Sequence, residues 1–123
     1  MRFLVPLLVL CLLFTGCDGS AKKTDGERSL ESRLDAALAI KDDNTRGSTL
    51  TVLARDAAEA GNGQIVKKAV AGIPDGKQHE NAAQSSAMKL AEKGQHEAAT
   101  EVAKMIADEK LRDNVLRSLS AKK

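Results

Sequence analysis

Residues 58–75 read AEAGNGQIVKKAVAGIPD, and this stretch decides the fold. Its opening phrase, Ala58-Glu59-Ala60-Gly61, returns 33 residues later as Ala91-Glu92-Lys93-Gly94. A closing helix needs a residue that tolerates the left-handed region, and glycine does so without a Cβ clash. Each phrase therefore marks a helix end. Beyond Gly61, residues 64–73 carry Ile65, Ala69, Val70 and Ile73 at helical spacing. Pro74 stops that helix because its ring removes an N–H and collides with the preceding turn. Asp75 follows as the expected N-cap of the next helix, its carboxylate accepting from orphan N–H groups. The unit implied is a pair of helices.

Working outward, the same spacing organises the chain. Ile40, Ile73 and Ile106 stand 33 apart, as do Asp42, Asp75 and Asp108. Arg46, His79 and Arg112 share a position, Leu50, Ala83 and Leu116 the next, and Ala36, Ala69 and Val102 another. In the unit before Gly61, Leu50, Leu53, Ala54, Ala57 and Ala58 form one helical stripe. A period in the thirties is the mark of stacked helical hairpins. The expectation is an all-α chain: a short α-solenoid of about three antiparallel hairpins over residues 29–123. No stretch alternates with period two, so no strand is expected. All three aspartates are expected as caps. Arg46 and Arg112 read as local charge partners of the Asp four residues earlier, worth a few tenths of a kcal/mol, on the order of 0.3. His79 reads as a solvated substitute for those arginines, and His96 as part of an exposed turn.

These features resemble tetratricopeptide-like repeats: alternating small and large apolar positions, the Ala-x-x-Gly close and the unit length, over roughly residues 29–123. The period of 33 is one short of that family's 34, and Leu, Ala or Met fills its bulky aromatic positions. Ankyrin repeats share the length of 33, but their Thr-Pro-Leu-His signature is absent.

At the other end, residues 3–14, FLVPLLVLCLLF, are an apolar run behind Arg2, followed by Phe14-Thr15-Gly16-Cys17 and then Asp18. A positive start, a short apolar run and a small-residue exit describe a secretory signal peptide. A permanent spanning helix needs roughly 20 apolar residues. The exit resembles the lipobox of bacterial lipoproteins, with Phe14 where that family usually has Leu. The resemblance implies that residues 1–16 are removed and that Cys17 becomes the acylated N-terminus, anchored to the membrane by its acyl chains. It places the protein in the bacterial cell envelope, on the periplasmic or extracellular side. An ordinary cleaved signal, with Gly19-Ser20-Ala21 as its exit, and an uncleaved anchor are the other readings. Cys11 leaves with the signal, so Cys17 is then unpaired and no internal disulfide forms. Residues 17–28 hold no large apolar side chain and read as lipidated Cys and flexible linker.

Loss of residues 1–16 leaves 107 residues, enough for one domain. It removes Arg2 from the 19 basic residues and none of the 17 acidic ones, a balance of +1. That charge gives no basic footprint for nucleic acid. Phe3 and Phe14 leave too, so the mature chain has no aromatic platform for single strands and no Trp or Tyr anchor for interfaces. The core is left to Ala, Leu, Ile, Val and Met, which points to modest stability.

No set of side chains carries recognisable catalysis. His79 and His96 lack partners at metal-ligand spacing, and Asp42-Asp43-Asn44 lacks the donors of a calcium loop. Gly61-Asn62-Gly63 joins two helices and follows no strand, so it is no phosphate loop. No serine sits in a Gly-x-Ser-x-Gly elbow. Lys67-Lys68 and Lys122-Lys123 read as solvated pairs. The expectation is a non-catalytic, cofactor-free interaction module whose first helix in each hairpin faces a protein or peptide partner. Lys67, Lys68, Thr100, Glu101 and Lys104 are the candidate contacts. The alternative is a structural, self-associating envelope protein, because Val115, Leu116 and Leu119 on the last helix lack an evident capping helix.

Overall fold

The computed structural model describes residues 25–122. The expected signal peptide, Cys17 and the linker up to residue 24 lie outside the described residues. Within them the chain is all-α, with no strand. The helices are α1 Asp25–Leu38, α2 Asp43–Glu59, α3 Gly63–Gly72, α4 Lys77–Glu92, α5 His96–Lys104 and α6 Glu109–Ala121. Helix α1 begins four residues before the expected domain start. Asp25 and Glu27 stand in its first turn, where the positive end of the helix favours them.

The glycine reading holds in atomic detail. Gly61 and Gly94 have φ of 72° and 79°. The N–H of Gly61 donates to Ala58 at 3.0 Å and that of Asn62 to Ala57 at 2.9 Å. The N–H of Gly94 donates to Ala91 at 3.0 Å and that of Gln95 to Leu90 at 2.9 Å. These are paired Schellman closures of α2 and α4, and each satisfies carbonyls that the helix leaves open. Helix α3 stops at Gly72, just before Ile73 and Pro74.

The caps divide. The Asp42 carboxylate accepts from the N–H of Thr45 at 2.8 Å and from its hydroxyl at 2.6 Å, while Asp108 accepts from the N–H of Leu111 at 2.8 Å. Asp75 makes no such cap, contrary to expectation. Gly76, with φ of 143°, takes the N-cap position of α4 and offers no side chain. The extra turn Asp75-Gly76 moves the helix start one residue on, so the aspartate falls outside it.

A second feature repeats with the period. Arg46 donates to the carbonyl of Ile40 at 2.9 Å, and Arg112 donates to that of Ile106 at 3.4 Å. His79 has Nδ1 3.2 Å from the carbonyl of Ile73 and Nε2 3.1 Å from that of Met105. All three residues thus address the carbonyl six positions back, which α-helical hydrogen bonding leaves free. His79 is therefore not a solvated substitute. It is buried, wedged between the connection that precedes α4 and the one that precedes α6. Arg46 forms its ion pair with Asp43, its neighbour in the first turn, and its charge also helps to hold the capping Asp42 carboxyl below its usual range.

Packing follows from the stripes. Leu50, Leu53, Ala54, Ala57 and Ala58 of α2 are all buried, as are Ile65, Ala69 and Val70 of α3 and Ile73 beyond it. Each helix packs on its neighbours one and two positions away in the chain, and no helix touches one farther off among the described residues. The odd-numbered helices meet in order, α1 with α3 and α3 with α5, and the even-numbered ones likewise. Small residues set the spacing. A Cβ on Gly63 would stand 2.5 Å from the Cβ of Ala98, and one on Gly72 would stand 2.6 Å from Leu38 Cδ2. At the far end α6 turns Val115 and Leu119 into the core, with Leu116 half-buried. Val115 and Leu119 seal α6 onto α4 and α5, while Lys110, Asp113, Asn114 and Arg117 face water.

Candidate functional site

The candidate contacts come from α3 and α5. Lys67 and Glu101 meet across the α3–α5 seam, with Nζ 2.5 Å from Oε2. Hydrogen bonding to Lys67, then the Lys67 charge with a smaller share from Lys104, holds the Glu101 carboxyl below its usual range. Lys104 is exposed on the same helix, one turn beyond Thr100. The Thr100 hydroxyl is turned back to its own helix, donating to the carbonyl of His96 at 2.9 Å. Lys68 is exposed on α3. The structure thus brings Lys67 and Glu101 together, leaves Lys68 and Lys104 in solvent, and ties Thr100 locally.

Beside the ion pair lies a cleft of about 410 Å³ at the starts of α1, α3 and α5. Its walls include Glu27, Asn62, Lys67, Gln95, Glu97 and Glu101. It runs into a second hollow of about 370 Å³, which shares Glu27, Gly61 and Asn62 and adds Leu30, Arg33 and Asp56. Arg33 and Asp56 form an ion pair of 2.8 Å between α1 and α2. A smaller crevice of about 160 Å³ separates α5 from α6, lined by His96, Thr100, Leu116, Leu119 and Ser120.

The cleft presents carboxylates, amides and one ammonium, donors and acceptors suited to a polar chain. Asn62 and Gln95, which sequence reasoning passed over, hold the N-cap positions of α3 and α5. Their signal was available: each directly follows a closing glycine, so the period places both at equivalent points of the rim. Among the described residues no group of three or more His, Cys, Asp or Glu is arranged to hold a metal ion. No helix among them is long and apolar enough to cross a membrane. Comparison with protein-family models, with curated proteins and with solved structures finds no match to this chain.

Proposed function

We propose that this chain is a lipid-anchored, non-catalytic interaction module of the bacterial cell envelope. Its helices form a short α-solenoid of three antiparallel hairpins, α1–α2, α3–α4 and α5–α6, similar in plan to tetratricopeptide-like repeats. Two features support the solenoid reading. Among the described residues, helix contacts run only between helices one and two apart, and the Schellman glycines and the carbonyl-binding residues 46, 79 and 112 recur with the period. Cys17 carries the lipid, and the linker lets the domain search for a protein or peptide partner in the plane of the membrane.

One observation carries the functional reading: the odd-numbered helices pack side by side and carry the Lys67–Glu101 pair and the polar cleft together. A partner segment lying across them would meet Lys68 and Lys104 beside that pair. The test is crosslinking in cells and capture of the tagged full chain from membranes, comparing the native sequence, Cys17→Ser, and Lys67→Glu with Lys68→Glu and Lys104→Glu. The reading expects one reproducible partner, lost with the anchor and weakened by charge reversal at unchanged helicity. Capture indifferent to the reversals excludes this face. Crosslinks between copies alone support the self-associating alternative.

A further inference from the structure

The fold imposes the dipeptide Asn62-Gly63 from both sides. Residue 62 caps α3, its Oδ1 accepting from the N–H of Ile65 at 3.2 Å, a task for a short side chain with an acceptor. Residue 63 faces α5, where a Cβ would stand 2.5 Å from that of Ala98, so only glycine fits without parting the helices. The chemical consequence is that residue 63 has no side chain of its own to shield its nitrogen from the neighbouring side-chain amide once the turn opens. We propose that Asn62 is a site of self-modification, converted through a succinimide to aspartate and isoaspartate, and that the cap of α3 gates the reaction.

The step balances with water as the only co-reactant. The Gly63 nitrogen bonds to Cγ of Asn62, the Cγ–Nδ2 bond breaks, and the amide leaves as ammonia with the proton from Gly63. Water then opens the cyclic imide at either carbonyl. One opening leaves aspartate in a normal chain, and the other routes the backbone through the side chain as isoaspartate. No electron is transferred to or from the protein.

Ring closure needs Cγ and the Gly63 nitrogen on the same side of the Cα–C bond. At the Asn62 ψ of 84° the side chain and that nitrogen lie on nearly opposite sides. The cap bond to Ile65 and the bond from the Val66 N–H to the Asn62 carbonyl, 3.2 Å, hold this arrangement. The attack therefore waits for the first turn of α3 to open. The two products differ in effect. Aspartate caps as well as asparagine, is favoured by the positive end of α3, and adds a carboxylate to a rim that holds Glu27, Glu97 and Glu101. Isoaspartate lengthens the backbone by a methylene and breaks the match between the Gly61 closure and the α3 cap.

The experiment incubates the purified full chain in detergent at mildly alkaline pH, folded and in urea, and maps peptides by mass spectrometry that separates aspartate from isoaspartate. Asn44, Asn81 and Asn114, followed by Thr45, Ala82 and Val115, are internal controls. Asn62→Ser keeps a cap and removes the reacting amide. Conversion is expected at Asn62 well ahead of the other three in urea, absent in Asn62→Ser, and at least about fivefold slower in the folded chain, the factor that a cap of ordinary strength sets. Conversion in urea no faster than at the controls overturns the site. Equal rates folded and unfolded overturn the gate.

Discussion

His79 is the sharpest test of how the connection before α4 is held to the one before α6. Replacing it with leucine keeps roughly the volume of the ring and removes both of its polar contacts. The ring lies between the Ile73 carbonyl, in a buried position, and the Met105 carbonyl, in a partly buried one, and the single N–H of an imidazole donates to one of the two, which then loses its donor. A buried acceptor left without a donor costs about 1–3 kcal/mol. Only one acceptor is orphaned, so the total stays at about 1–3 kcal/mol. A domain of this size has about 5–15 kcal/mol in all, so the loss is a large share. Urea unfolding of the full chain, followed by helical circular dichroism, should show a midpoint lower by about 1–3 M with an unchanged slope. The companion variant is His79→Arg, which restores the residue type that reaches Ile40 from position 46 and Ile106 from position 112. It should recover most of the loss. If leucine at 79 is as stable as histidine, or more stable than arginine, the site is merely a filled space and the hydrogen-bonding account is wrong.

Four further outcomes follow from the same geometry. Asp42→Ala and Asp108→Ala should each lower stability by about 1 kcal/mol, whereas Asp75→Ala, which caps nothing, should stay within about 0.5 kcal/mol in the same unfolding assay. Gly94→Ala forces a Cβ into φ of 79° and should cost about 1 kcal/mol, read as a lower thermal midpoint. Asp42, through its hydrogen bonds to the Thr45 hydroxyl and amide, and Glu101, through Lys67, hold their carboxyls below the ordinary values of 3.8 and 4.5. Their stabilisation is therefore complete above those values and fades as pH falls through the lower folded ones, so Asp42→Asn with Glu101→Gln should flatten the acid limb of a midpoint-versus-pH curve. Exchanging Lys67→Glu with Glu101→Lys should leave stability within about 1 kcal/mol, as for an exposed pair, yet alter partner capture.

The period made most of this fold legible, and its failures share one cause. Gly61, Gly94 and Pro74 act through local backbone conformation, and the stripe of α2 through local geometry, so sequence alone locates them. Asp75 failed because a period assigns a slot without seeing the conformation of the next residue: Gly76, standing where the other units have Asp43 and Glu109, delays α4 by one residue and strands the carboxylate. His79 failed because its environment is made by the following hairpin. Its slot is shared with Arg46 and Arg112, but the turn bearing Met105 closes over it and shuts out water. The site was half visible. Lys67 and Glu101 were each recognised as polar positions between apolar ones. Their separation of 34 residues, one period and one step, is the spacing that a seam between adjacent first helices selects. The cleft was not visible, because it forms where three helix starts converge and no single segment encodes that.

The columns of the repeat also bear on what the ends of the domain do. Val66 and Ala99 are fully buried, and their equivalent in the first hairpin is the exposed Arg33. Ala82 and Val115 are buried, and their equivalent is the exposed Thr49. At the other end Ala54 and Ala87 are buried, and their equivalent in the third hairpin is the exposed Ser120. In each column the apolar residue appears where another hairpin covers it and a polar one where none does. Arg33 goes further by pairing with Asp56 at 2.8 Å across the outer side of α1 and α2. Terminal repeats need such polar outer faces, since an apolar one invites the next copy. In these three columns the outer faces are polar where the internal seams are apolar, although Leu38 and Val52 stay exposed on α1 and α2. The Val115 and Leu119 row that favoured stacking is spent on holding α6 in place. On the proposed reading a partner would meet the flank, where α3 and α5 pack together and the polar cleft opens beside the Lys67–Glu101 pair.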